Sequence, residues 1–106
     1  MVWFVKQETF LAPRPALEEP LRDHRAWVRQ LQASGHRISS GYLVDEEGRP
    51  GGGGLMLFEA PDAEAAAVLV AADPMVRSGL VDWQLHQWRS AVGDLATAPA
   101  AEGGSA

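Results

Sequence analysis

The chain contains no cysteine, which excludes disulfide stapling, thiolate catalysis and cysteine-based zinc sites. No apolar run approaches the roughly 18–20 residues needed to span a bilayer. No basic region precedes the apolar start of the chain, Met1 to Val5, so a secretory leader is not expected. Positive charge is scarce as well: 9 Lys and Arg residues stand against 14 Asp and Glu, for a formal net charge of -5. A nucleic-acid-binding surface needs a basic footprint that this composition does not supply. The expectation is a cytoplasmic soluble domain with no membrane or nucleic-acid partner.

What is present is enough for one modest core. Of the 106 residues 46% are hydrophobic, and four Trp, three Phe and one Tyr bring large burial payloads to a chain too short for two domains. Val2–Gln7 is aromatic and β-branched and predicts a first strand. From Leu17 to Ser34 the apolar positions Leu17, Leu21, Val28 and Leu31 recur at helical spacing, with Gly35 as the residue that ends the helix. Pro20 is tolerated only in a first turn, which places the helix start near Glu18. His36–Val44 predicts a second strand. Asp45–Gly54, with Gly48 and four consecutive glycines from Gly51, predicts a flexible connection, and Leu55–Glu59 a third strand. Asp62 caps an alanine-rich helix over Ala63–Ala72. Asp73-Pro74 breaks it, Met75–Gly79 adds one helical turn, and Leu80–Trp88 is the fourth strand, with Asp82, Gln84 and His86 on one of its faces. From Gly93 the sequence turns to Ala, Pro, Gly and Ser and has nothing to bury. This predicts a folded domain over residues 1–92 and a disordered tail over 93–106.

The order β-α-β-β-α-β is that of the ferredoxin-like split unit. The expected class is α+β: a four-stranded antiparallel sheet with two helices on one face. The second sheet face carries apolar residues and has no helix left to cover it. A symmetric homodimer, sheet against sheet, would bury it.

Two residues stand out chemically. On a helix advancing 100° per residue, Leu17, Leu21, His24, Val28 and Leu31 fall within an arc of roughly 80°, so His24 points at the sheet. Imidazole titrates near neutrality, which makes a positioned histidine a natural general base. The competing reading is a core-edge histidine satisfied by a backbone carbonyl. Asp73, before Pro74, has the signature of a helix cap. Its functional reading is a carboxylate that accepts the His24 Nδ1–H and fixes the tautomer. Both roles fit one side chain only if a carboxylate oxygen remains free. Ser40 and Gly41, in the second strand, could supply a hydroxyl and a close backbone approach to a ligand, or form an ordinary strand with a bulge. Asp82, Gln84 and His86 could line the interior between two sheets or a solvated edge. His36 reads as an exposed turn residue. The three histidines have no metal-ligand spacing, so no metal site is expected.

These segments in their order resemble the YCII-related (YciI-like) family of small dimeric α/β-barrel proteins. The resemblance runs from about Val2 to Trp88. It is carried by Leu21-Arg22-Asp23-His24 with Leu31 and Gly35, by Ser40-Gly41-Tyr42-Leu43, and by Gly53-Gly54-Leu55-Met56-Leu57-Phe58-Glu59. Val70-Ala71-Ala72-Asp73-Pro74-Met75 and Gly79-Leu80-Val81 complete it. The resemblance implies a ferredoxin-like protomer, a homodimer through the sheets, and an active site of one histidine and one aspartate, roles that carry onto His24 and Asp73. Ser40 falls in the family's Ser-Gly segment and would line the same pocket. The family also resembles muconolactone isomerase in fold, and one branch is a dehydrochlorinase of a chlorinated hydroxyquinol. Pro20, four residues before His24, departs from the pattern and could tilt the imidazole. Two functions remain open: a cofactor-independent lyase or isomerase acting on a small cyclic or aromatic compound, and a non-catalytic module that binds a small ligand.

Overall fold

Strand β1 (Val2–Phe10) is one of two central strands in a four-stranded antiparallel sheet. After it come helix α1 (Arg14–Ala33), the hairpin of β2 (Ile38–Val44) and β3 (Pro50–Ala60), helix α2 (Ala63–Ala71), the one-turn helix α3 (Pro74–Ser78) and the closing strand β4 (Val81–Trp88). The strand order β2-β3-β1-β4 is that of the expected ferredoxin-like α+β unit, with α3 inserted ahead of the last strand. The computed structural model describes residues 1–95. Of the segment expected to be a disordered tail, residues 96–106 lie outside the described residues.

The two faces of β1 differ in what they bury. Phe4, Lys6 and Glu8 are buried, whereas Gln7 and Thr9 between and beyond them are exposed. Directly opposed residues of antiparallel strands share a face, and the register sets Phe4 opposite Phe58, Lys6 opposite Met56 and Glu8 opposite Gly54. Phe4, Met56 and Phe58 join Ile38, Ala66 and Val70 in the main apolar cluster, and Trp27, Val28 and Leu31 of α1 pack onto it. Leu17, Met75 and Val81 form a second cluster. The helices therefore cover one face. The other presents Trp3, Val5, Leu57 and Trp88, all partly buried, and the register sets Trp3 opposite Trp88 and Val5 opposite His86.

Helix α1 begins at Arg14 rather than near Glu18. Pro13 is its capping residue and Pro15 lies in its first turn, where a backbone N–H has no helical partner to lose. Pro20 consequently sits inside the helix and removes the bond to the Ala16 carbonyl. Ala16 is exposed, so the loss falls on the solvent side. At the other end the expected terminator operates. Gly35 takes a φ of 100°, and the amides of Gly35 and His36 donate to the carbonyls of Gln32 and Leu31 at 3.0 Å each, which closes the last turn.

The glycine run is the second departure from expectation. Gly51–Gly54 belong to β3, and the turn is instead made by Asp45, whose Oδ1 accepts from the amides of Glu47 and Arg49 at 2.9 Å. The glycines serve close approach rather than flexibility. Gly53 has a φ of 98°, and a Cβ there would lie 2.1 Å from the Glu8 carbonyl oxygen. At Gly54 a Cβ would lie 2.9 Å from Glu8 Oε2. These positions let Glu8 lie flat against β3. Gly53→Ala should therefore cost at least about 2 kcal/mol in urea denaturation, from left-handed backbone strain plus the clash. Gly41→Ala, with open space around the added carbon, should change stability by less than about 0.5 kcal/mol. A flexible linker would give no penalty at Gly53.

Candidate active site

Each residue of the site is placed by a different element. His24 lies on the sheet-facing stripe of α1 and is buried. Asp73 precedes α3 as its capping residue, and its Oδ1 accepts from the Met75 amide at 2.9 Å. The same oxygen accepts from His24 Nδ1 at 2.7 Å. The capping role and the histidine-orienting role thus coexist, but no oxygen is left free: Oδ2 accepts from Lys6 Nζ at 2.6 Å. The expected condition for combining the two roles is replaced by one oxygen with two donors. Beyond the imidazole, Ser40 Oγ on β2 lies 2.7 Å from His24 Nε2.

Asp73 has no exposed surface. Burial raises its carboxyl pKa, because an isolated charge is costly to desolvate. The hydrogen bond and charge of His24, together with the charge and hydrogen bond of Lys6, outweigh burial and hold Asp73 below its ordinary value. The carboxylate is ionised and can only accept hydrogen bonds. Nδ1 of His24 must then carry a proton, and in the neutral ring Nε2 carries the lone pair. In that neutral form the Ser40 hydroxyl donates to the lone pair, and in the protonated ring Nε2–H donates to Ser40 Oγ instead. This is the order carboxylate, imidazole, hydroxyl, with the imidazole basic nitrogen turned toward the hydroxyl.

A cavity of about 280 Å³ opens beside the imidazole, and Lys6, Glu8, His24, Ser40, Gly41 and Met56 are among its walls. The four expected site residues are therefore brought together, three as lining and Asp73 directly behind His24. Asp82, Gln84 and His86 are not part of it. They lie on the sheet face away from α1, opposite Thr9, Gln7 and Val5. His36, just after α1, is exposed as expected.

Residues 1–89 match the YCII-related domain. The chain belongs to that family. No curated protein matches it in sequence. Among solved structures it is similar to the 5-chloro-2-hydroxyhydroquinone dehydrochlorinase of Burkholderia phenoliruptrix AC1100, in complex with 2,5-dihydroxybenzoquinone. The two are 18% identical over 84% of this chain and 95% of the other, with a TM-score of 0.64. A muconolactone isomerase is 15% identical over 88% and 94% of the two chains, with a TM-score of 0.58. An antibiotic biosynthesis monooxygenase is 17% identical over 87% and 100%, with a TM-score of 0.56. At these identities the likeness is one of fold.

Two residues that adjoin the cavity carry no signal in the sequence that singles them out. Lys6 is the only lysine of the chain, and it is buried between Asp73 and Glu8, with Nζ 2.6 Å from Glu8 Oε1. The Lys6–Glu8 contact is an ion pair, and no other donor among the described residues reaches Glu8 Oε1. The alternation of β1 bears on them only in general: a strand that buries Phe4 also buries positions 6 and 8. The competing apolar face of Trp3 and Val5 hides it.

Because Asp73 is held low in the folded state, its ionised form stabilises the fold above the unfolded carboxyl value near 3.9. That contribution is lost as pH falls through the lower folded value. In Lys6→Met two buried carboxylates lose their cation, and stability near neutral pH should fall by about 3–5 kcal/mol. The acid limb below about pH 4 should also flatten, since Asp73 is no longer held as low. Urea denaturation of both proteins between pH 3 and 7 measures both effects.

Proposed function

We propose that the chain is a small enzyme of the lyase or isomerase type in which His24 acts as general base on a cyclic or aromatic compound. The observation that carries this reading is the placement of His24 between the buried Asp73 carboxylate and the cavity. Asp73 holds the tautomer that leaves Nε2 basic, and it stabilises the imidazolium that forms when a proton is taken. A substrate entering the cavity meets Nε2 where the Ser40 hydroxyl now stands. Once turned aside, that hydroxyl is placed to donate to the oxyanion that proton removal creates, beside the Gly41 backbone. Return of the proton to a neighbouring carbon gives an isomerase. Expulsion of a leaving group from the adjacent carbon gives a lyase or dehydrochlorinase. Both proceed on these side chains with no cofactor or metal.

Support comes from the fold shared with a dehydrochlorinase and an isomerase of small ring compounds. His24→Ala should lower kcat on any hydroxyquinol or lactone the protein turns over by about 10²–10⁴-fold. Equal turnover by wild type and variant would remove the base assignment.

We further infer that the uncovered sheet face pairs with a second copy of the chain. Trp3, Val5, Leu57 and Trp88 remain partly exposed there, and an apolar sheet face of this kind is stabilised by a symmetric partner. Light scattering should give twice the chain mass, and Leu57→Glu should give a monomer. A monomeric wild type would sink the pairing.

A further inference from the structure

The mouth of the cavity carries charge that the proton-transfer reading does not use. Arg25 and Arg29 of α1 both line it, and residues four apart in a helix are neighbours on one face. Both are exposed, and among the described residues neither has a carboxylate within ion-pairing distance, although Arg37 and Arg49 each do. Glu18 lies along an adjoining groove with Arg25 without pairing to it. Deeper in the cavity Lys6 is shared between Glu8 and Asp73, so that cluster has no positive charge to spare and an anion is held at the mouth, not drawn to the base of the cavity. An acidic chain of net charge -5 thus places two uncompensated guanidinium groups at the entrance to its candidate site. Unpaired arginines next to a cavity concentrate anions there and can grip a carboxylate in two-point fashion.

The rest of the lining sets the size and shape of what enters. Phe10, Leu21, Val28 and Met56 contribute apolar walls, and Tyr42 stands at the rim with its side chain largely exposed. A volume of about 280 Å³ is at the small end for ligand sites and suits one ring rather than two.

We propose that the substrate class of the site is a small single-ring carboxylate, its anionic group held by Arg25 and Arg29 and its ring directed inward to His24 Nε2. The proposal rests on His24 as the base and adds the recognition that selects the compound. Arg25 and Arg29 are binding and orienting residues; the proton chemistry stays with His24.

Matched probes separate charge recognition from ring burial. Calorimetry at low salt with 2,5-dihydroxybenzoate and 2,5-dihydroxybenzamide compares two ligands that differ mainly in the anionic group. The carboxylate should bind about tenfold or more tightly than the amide, and each of Arg25→Gln and Arg29→Gln should weaken it by about fivefold. The double variant should bind both compounds alike. Raising salt should shrink the preference, as expected for exposed charges. Both arginines are exposed, so the variants should keep the wild-type melting temperature. A carboxylate preference abolished in the double variant supports the assignment whether or not either compound is turned over. Equal binding of the pair, no measurable binding of the carboxylate, or a preference that survives the double variant overturns it. Failure of the base reading shows elsewhere, as turnover indifferent to His24→Ala.

Discussion

A single carboxylate with three donors holds the site together. Asp73 starts α3 by accepting from the Met75 amide, orients α1 by accepting from His24, and binds β1 by accepting from Lys6. Removed from water, such a group is tolerated only if every oxygen is satisfied and a cation is near. Those requirements join a loop, a helix and a strand that otherwise meet only through apolar packing. The charge state of Asp73 then decides that of its neighbours, since an acceptor-only partner leaves one tautomer open to the neutral imidazole.

Lys6 has a double consequence. Together with the larger effect of His24 it keeps Asp73 ionised despite burial, and it places Glu8 against β3 through their ion pair. The space Glu8 occupies is the space a side chain at Gly53 or Gly54 would fill. The glycines of β3 are thus connected to the imidazole on α1 through Glu8 and Lys6 of β1 and then Asp73. Within this arrangement the polar network sits beside the cavity, and Met56, opposite Lys6 in the register, joins it to the apolar cluster of Phe4, Phe58 and Val70.

Much of this is legible in the amino-acid sequence. Helical spacing alone directed His24 inward, because an arc of roughly 80° leaves no other face for it. Asp73-Pro74 announced a cap for a local reason, the missing amide of proline at the start of a turn. The element order led to the ferredoxin-like arrangement through the pairing rules of consecutive strands. Three things were not readable. Composition suggested a mobile connection at Gly51–Gly54, because a requirement for space across strands is invisible in one segment. Pro20 suggested a late helix start, because the exposure of Ala16 decides whether a lost hydrogen bond is costly. Lys6 and Glu8 carried no assignment, because both faces of β1 carry apolar residues and Glu8 falls just beyond the expected strand Val2–Gln7.

The sequence by itself determined the elements, their order, the inward face of α1 and the cap at Asp73, since each follows from contacts within a few residues. Only the tertiary structure decided that a single oxygen of Asp73 serves both cap and imidazole, that Lys6 is its counter-ion, and that Ser40 faces Nε2. Those facts depend on the register of β1 with β3 and on the seat of α1 over the sheet. Register and seating are settled by packing between segments distant in the chain, which no local pattern encodes.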